Sequence, residues 1–204
     1  MVEQSQWMQI VEANPAHSTW FVKRFRDMAA AGQDLDGEAR LVDAMVPRRS
    51  RILDAGCGSG RVGGALARAG HDVVGVDVDP VLIEAAIEDH PGPQWLVGDL
   101  AELDLAAQGV AADFEVVVAA GNVMPFLAPS TRREVLQRLR NQVAERGRIV
   151  VGFGAGRGYD FGDFLDDARA SGLETDLLLA GWDVRPFSHD ADYSDFLVAI
   201  LRPA

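Results

Sequence analysis

The sequence predicts an open, mostly parallel α/β sheet preceded by helices. Three observations carry this reading. From residue 51 onward, short β-branched apolar runs alternate with helical segments rich in alanine and leucine, the pattern of successive βαβ units. One run, Phe114–Ala120, is almost wholly apolar, as befits a parallel strand covered on both faces. The first run passes directly into a glycine-rich turn, LDAGCGSGRVGG at residues 53–64, before the next helical segment.

Residues 1–50 read as helices. Phe21, Phe25 and Met28 form an amphipathic stripe over His17–Ala31, and a second helix runs from about Asp36 to Val46, where Pro47 ends it. Arg51–Ala55 is the first strand. Arg61–Ala69 is helical and stops at Gly70, and Asp72–Val76 is a β-branched strand closed by Asp77. Pro80 suits a first helical turn, and that helix extends to about Asp89. Gln94–Val97 is a third strand, followed by Gly98-Asp99, and Phe114–Ala120 is the fourth. Thr131-Arg-Arg-Glu134 has the spacing of a capping box, predicting a helix to about Glu145 that Gly147 terminates. Arg148–Phe153 is a fifth strand, and Asp160–Ser171 is a helix closed by Gly172. Thr175–Ala180 and Phe196–Leu201 are strands with no helical pattern between them, so they are expected to be antiparallel neighbours joined by a long loop. The whole, residues 1–204, is read as one domain: a helical cap over 1–50 and a core over 51–204. Ligands of such sheets sit at the carboxyl ends of the strands, near the point where strand order reverses.

Composition narrows the chemistry. Hydrophobic residues make up 48%, enough for a sizeable core, and the net charge is −12. A surface this negative repels nucleic-acid phosphates and anionic membranes, so a small-molecule partner is expected. Lys23 is the only lysine. No Walker-type phosphate loop is therefore present, and neither Tyr159 nor Tyr193 heads a Tyr-x-x-x-Lys pair. Cys57 is the only cysteine, which suits a reducing cytoplasm. The first 30 residues are mixed and charged, so no signal peptide is expected. No run approaches the ~18 apolar residues of a membrane span. No metal site is expected.

The glycine turn fits two fingerprints. Gly58 to Gly63 matches G-x-G-x-x-G, and Asp54 to Gly60 matches an acid followed by G-x-G-x-G. A dinucleotide would set its pyrophosphate beside Asp54, and like charges about 5 Å apart cost roughly 3 kcal/mol at an effective dielectric near 20. S-adenosylmethionine (SAM) has no phosphate. Its ammonium suits Asp54, the glycines admit its amino-acid part, and the helix N-terminus near Gly60 favours its carboxylate. Asp77, closing the second strand, can accept both ribose hydroxyls. Asp99, closing the third, can accept the exocyclic amine of adenine, while the Leu100 amide offers a donor to a ring nitrogen.

The stretches RILDAGCGSG, VVGVDVDP and QWLVGDL resemble the first three cofactor motifs of class I SAM-dependent methyltransferases, and the resemblance extends over Arg51 to Ala204. It implies a Rossmann-like, doubly wound sheet of seven strands, the last antiparallel and inserted beside the fifth. It implies that Asp54, Gly56 and Gly58 hold the methionine part, with Cys57 and Gly60 on the same turn. Asp77, with Val78 beside it, would hold the ribose, and Asp99 with Leu100 the adenine. Ala119 to Gly121 would line the methionine and the transferring methyl. One departure stands out: Gly121-Asn-Val-Met-Pro-Phe126 replaces the Asn/Asp-Pro-Pro-Tyr/Phe of amino-group methyltransferases, so base or glutamine methylation does not carry over.

Other residues admit a plain and a functional reading. Cys57 reads as a filler whose backbone matters. Gly152–Tyr159 is either a flexible connector or a substrate lid with Arg157 and Tyr159 facing the methyl. His17, Trp20 and Arg24 either dock the N-terminal helices or cap the pocket, with Arg24 pairing the methionine carboxylate. The four arginines of Arg132–Arg140 read as a solvated helix face, and His71 and His90 receive no role. Trp182, Arg185 and His189 could wall the substrate. The expected function is methyl transfer from SAM to a small, partly apolar acceptor, for which arginine suits an anionic one. A general base serves only a weakly acidic nucleophile, and His17, His189 and Tyr159 are the candidates. An NAD(P)-dependent oxidoreductase and a non-enzymatic SAM-binding regulator are the alternatives.

Overall fold

The computed structural model describes residues 2–188 and 195–204. Helices α1 (Gln6–Ala13), α2 (Ala16–Ala30) and α3 (Gly37–Met45) precede the sheet. Strands β1 (Arg51–Ala55), β2 (Asp72–Asp77), β3 (Gln94–Val97) and β4 (Phe114–Ala119) then alternate with α4 (Arg61–Arg68) and α5 (Pro80–Asp89). A short helix α6 (Val123–Phe126), α7 (Arg132–Gln142), β5 (Val143–Gly154), α8 (Phe161–Ala170), β6 (Leu173–Leu179) and β7 (Phe196–Pro203) complete the chain.

Among the described residues the sheet has seven strands in the order β3-β2-β1-β4-β5-β7-β6. The first five are parallel, and β7 runs antiparallel between β5 and β6. Both faces are covered. Leu53, Val74, Val117 and Val151 face a core completed by Leu136 and Leu139 of α7 and Phe164 of α8. Their neighbours Ile52, Val73, Val116 and Val150 face the opposite core, with Leu66 of α4 and Val42 of α3. Period-two alternation with two apolar faces is why these strands read as unbroken hydrophobic runs. Strand order reverses between β1 and β4, and the cleft outside their carboxyl ends is roofed by α1 and α2, which pack on α5 through Trp7, Val22, Leu82 and Ala85.

Three expectations are corrected. Helix α7 stops at Gln142 rather than near Glu145, and β5 begins at Val143 rather than Arg148. Val143 pairs with Phe114 across a register shift in β4, and the Asp113 amide bonds the Gln142 carbonyl at 2.9 Å. Gly147 therefore does not end a helix. It lies within the strand, where a Cβ would stand 2.8 Å from the Phe114 carbonyl oxygen, and so it lets the two backbones meet. The capping box does not form either. The Thr131 hydroxyl donates to the Ala128 carbonyl at 2.9 Å, and Glu134 pairs with Arg138 at 2.8 Å. A turn of 3₁₀ helix at Pro129–Thr131 runs straight into α7 and leaves no extended N-cap. Of the four arginines of α7, only Arg133 is exposed as a solvated face would have it, and all four engage partners in the fold. Arg132 lies 3.9 Å over the Tyr159 ring, Arg133 pairs with Asp167 at 2.5 Å, and Arg138 and Arg140 donate to the Leu103 and Gly172 carbonyls. Among the described residues no helix is long and apolar enough to cross a membrane.

Candidate functional site

Four strand ends build the site. After β1, the amides of Gly56 and Cys57 both donate to the Val76 carbonyl, at 2.8 and 3.0 Å, which clips the turn onto β2. Gly60, the N-cap of α4, has φ of +80°, a left-handed conformation costly for residues with a side chain. A Cβ there would also stand 2.8 Å from Ala86 and 3.0 Å from the Trp95 indole. Trp95 fills the space under the turn, its Nε1–H donated to the His90 carbonyl at 2.9 Å. Gly63, the third glycine of the G-x-G-x-x-G spacing, clears the same indole: its Cβ would stand 2.8 Å from Trp95.

Three carboxylates close β1, β2 and the turn after β3. Asp54 is buried, and its Oδ2 accepts the Gly63 amide at 2.8 Å. Burial raises its pKa to about 7, with the Gly63 bond and the Arg61 charge opposing. Asp77 is also buried; Oδ2 accepts the Gly58 amide at 2.8 Å and Oδ1 the Asp79 amide at 3.0 Å. Burial raises it to about 6, with these backbone bonds opposing. Asp99 is half-buried, and its Oδ1 accepts the Ala101 amide at 2.8 Å. Each acid thus organises backbone as a strand-end cap and still faces a cavity.

Two adjoining chambers lie here. The smaller, about 100 Å³, is mainly apolar: Val78, Leu82, Leu100 and Leu127 surround Asp77 and Asp99. The larger, about 570 Å³, is reached by Asp54, Cys57, His17, Trp20, Arg24, Asn122, Arg157 and Trp182. Trp7, Phe21, Gly56, Gly58, Gly121 and Phe126 belong to both walls. Glu38 in the larger chamber is matched by Arg61 at 2.5 Å, and Asp34 by Arg40 at 2.7 Å. Arg24 and Arg157 have no ion pair among the described residues; the Arg24 guanidinium rests 5.9 Å from Trp20 and 5.7 Å from Phe25. The charged residues lining this chamber are thus Asp34, Glu38 and Asp54 on one side of the balance and Arg24, Arg61 and Arg157 on the other.

The structure brings together Asp54, Gly56, Cys57, Gly58, Asp77, Val78, Asp99, Leu100, Gly121, Arg24 and His17 around the two chambers. It removes others. Gly60 faces Ala86 and Trp95 rather than the cavity. Ala119 is fully buried in the core, and the following Ala120, Gly121 and Asn122 form the wall instead. Tyr159 does not face the methyl site: it is buried against Phe153 and Phe164, and its hydroxyl donates to Asp167 at 2.7 Å. Burial, then that bond, raises its pKa far above the ordinary phenol value, so it is no general base. Arg185 pairs with Asp183 at 2.8 Å and is absent from the wall, whereas Trp182 is part of it. His189 lies outside the described residues. The Cys57 thiol is buried and pushed up by burial, consistent with a filler.

Sequence reasoning missed Trp7, Phe126 and Asp79. The Asp79 side chain caps α5 by accepting the Val81 amide at 2.9 Å. The Asp-Pro pair at 79–80 is the signal that could have shown it.

The methyltransferase domain family matches residues 52–147. A TehB-like SAM-dependent methyltransferase from Corynebacterium glutamicum is 49% identical, over 94% of this chain and 100% of that one, with a TM-score of 0.87. The CcbJ methyltransferase of Streptomyces caelestis, 20% identical, shares the fold over 84% of this chain and 90% of its own with a TM-score of 0.73. The magnesium-protoporphyrin O-methyltransferase of Rhodobacter capsulatus is 38% identical over 89 residues, 41% of this chain. The match spans only 37% of that curated relative. Folded as a SAM-dependent methyltransferase and 49% identical to it over 94% of its own length, this chain belongs to the class I SAM-dependent methyltransferases.

Proposed function

We propose that this chain transfers the methyl group of SAM to a small acidic acceptor with an apolar body. One observation carries the reading: three carboxylates at successive strand ends surround two adjoining chambers, one small and apolar, the other large and lined by Arg24 and Arg157, which have no ion pair among the described residues. The fit to SAM rests on Asp54. It is a buried carboxylate with a single hydrogen bond among the described residues and no directly paired cation, and an ammonium supplies what it lacks. Asp77 then receives the ribose hydroxyls, and Asp99 and the Leu100 amide receive the adenine edge. Val78, Leu82 and Phe126 cover the adenine faces, and Arg24 receives the methionine carboxylate.

When bound, the sulfonium supplies an already activated methyl, so the protein's task is chiefly alignment. The remainder of the larger chamber holds the acceptor. Arg157 pairs with its acidic group, while Trp20 and Trp182 flank its apolar part. His17, stacked on Trp20 at 5.4 Å between ring centroids, takes a proton where the nucleophile is weakly acidic. A net charge of −12 favours a small acceptor over nucleic acid, and a lone buried thiol accords with a reducing cytoplasm.

The test is methyl transfer from labelled SAM to a panel of aromatic acids, phenols and amines. Arg157→Ala is expected to raise KM for an acidic acceptor about tenfold or more, the loss of one charge-assisted hydrogen bond, while leaving S-adenosylhomocysteine (SAH) affinity unchanged. Arg24→Ala weakens SAH binding instead. Turnover confined to cationic acceptors would overturn the acceptor class, and absence of SAH binding would overturn the cofactor.

A further inference from the structure

The N-terminal helices meet the sheet through one buried carboxylate. Asp79 is 1% exposed, and its Oδ2 accepts both the Trp7 indole Nε1–H, at 2.9 Å, and the Ser18 hydroxyl, at 2.5 Å. Its Oδ1 accepts the Val81 amide at the head of α5, and its own amide donates to Asp77 Oδ1 at 3.0 Å. Among the described residues no cation pairs with it, so two side-chain donors, one amide and the N-terminus of α5 hold its charge. The rest of the buried contact is apolar, and at its exposed edge Arg26 of α2 pairs with Glu88 and Asp89 of α5, each at 2.8 Å. Apolar packing tolerates sliding, whereas two donors on one charged oxygen admit a single register.

Trp7 is the side chain fixed in this way. Its indole belongs to both chamber walls, meeting Phe21 and Phe126 edge-on at 5.2 and 5.6 Å and His17 at 5.1 Å. Its N–H is spent on Asp79, so the ring supplies wall rather than a donor to a ligand. On the other side, the Asp79 amide orients the carboxylate assigned to the ribose.

We infer that Asp79 is a positioning residue for the cofactor site: through Trp7 and Ser18 it sets the N-terminal helices over the boundary between the chambers, and through its amide it holds Asp77. This rests on reading the smaller chamber as the adenosine site. The consequence is that cofactor affinity depends on hydrogen bonds made by side chains that do not touch the cofactor.

The experiment is SAH calorimetry on the wild type, Asp79→Asn, Trp7→Phe, Ser18→Ala and the Asp79→Asn/Trp7→Phe pair, with ¹⁵N spectra of the indole N–H groups. Asp79→Asn and Trp7→Phe are each expected to weaken SAH about tenfold, the loss of a hydrogen bond to a charged group. Ser18→Ala is expected to weaken it less, about threefold, because the Trp7 bond, which holds the side chain lining the chambers, stays in place. The double variant binds no worse than the weaker single, because both changes break one link. The Trp7 indole resonance moves in Asp79→Asn while that of Trp182 does not. Wild-type affinity in the single variants, or losses that add in the double, would overturn the inference. If Asp79→Asn fails to fold, Ser18→Ala and Trp7→Phe decide the matter alone. Failure of the wild type to bind SAH would instead remove the reading of the chamber, with the Trp7 resonance still reporting whether Asp79 holds the indole.

Discussion

Two buried aspartates give the site a measurable proton chemistry. Burial holds Asp54 at about 7 and Asp77 at about 6, against an ordinary value of 3.8. The folded chain thus binds these protons more tightly than the unfolded chain. Their contribution to stability is full below the unfolded value and is lost as pH rises through the folded values. A bound ammonium reverses the preference by stabilising the carboxylate. SAM binding is therefore expected to release protons at about pH 6.5 and to tighten as pH rises toward about 7.5. Calorimetry in buffers of different ionisation enthalpy checks this, and proton uptake on binding would contradict the assignment of Asp54. In Asp54→Asn the release should fall and the affinity drop by about tenfold or more, the loss of a charge-assisted bond. At this scale the sequence showed the acids because a carboxylate ending an apolar strand stands out from its surroundings. It misplaced Tyr159 because the ring's partners, Arg132 and Asp167, come from α7 and α8, and a local pattern of glycines near a strand end says nothing of them.

The glycine turn is as much a packing element as a binding loop. Trp95 of β3 reaches beneath it, and a Cβ at Gly75 would stand 2.2 Å from the indole, at Gly63 2.8 Å and at Gly60 3.0 Å. A fingerprint usually read through its ligand is here set in part by a tryptophan on a neighbouring strand. Gly63→Ala is expected to cost about 1–3 kcal/mol, as overpacking of a rigid core does. It should also disturb Asp54, whose Oδ2 lies 3.0 Å from the added atom. Trp95→Ala opens a cavity and should cost about 3–5 kcal/mol. Urea unfolding measures both, and a neutral Gly63→Ala would show that the turn yields to the added methyl. Element boundaries were legible at Pro47, Gly70 and Pro80, where the breaker does end or begin a helix, but Gly147, equally isolated, lies within β5. They were not legible at the start of β5. There the residues 143–146 suit a helix, and only pairing with Phe114 and the Asp113 amide draws them into the sheet. Tertiary pairing decided between two locally acceptable states.

At the scale of the molecule, the order of the strands came from family resemblance and not from periodicity, since alternation alone fixes which segments are strands but not their neighbours. The sequence suggested a helical cap over residues 1–50, with His17, Trp20 and Arg24 docking it or capping the pocket; it did not show the contact beneath α1 and α2, where Asp79 gathers donors 61 and 72 residues distant in sequence. That arrangement makes the cofactor site a joint between the N-terminal helices and the sheet, so a ligand seated there touches both and should stabilise the chain as a unit. Saturation at 100 times Kd adds about 2.7 kcal/mol to the free energy of unfolding. For a chain of 204 residues each kcal/mol raises Tm by about 2–4 °C, so SAH should raise it by about 5–10 °C. At about pH 8.5, where Asp54 is ionised, NADH should raise it far less, because its pyrophosphate would meet that carboxylate on the same turn, the repulsion costing roughly 3 kcal/mol. Thermal scans with each ligand separate the two chemistries. A shift with NADH equal to that with SAH would return the turn to the dinucleotide reading and take the assignments of Asp54, Arg24 and the acceptor chamber with it.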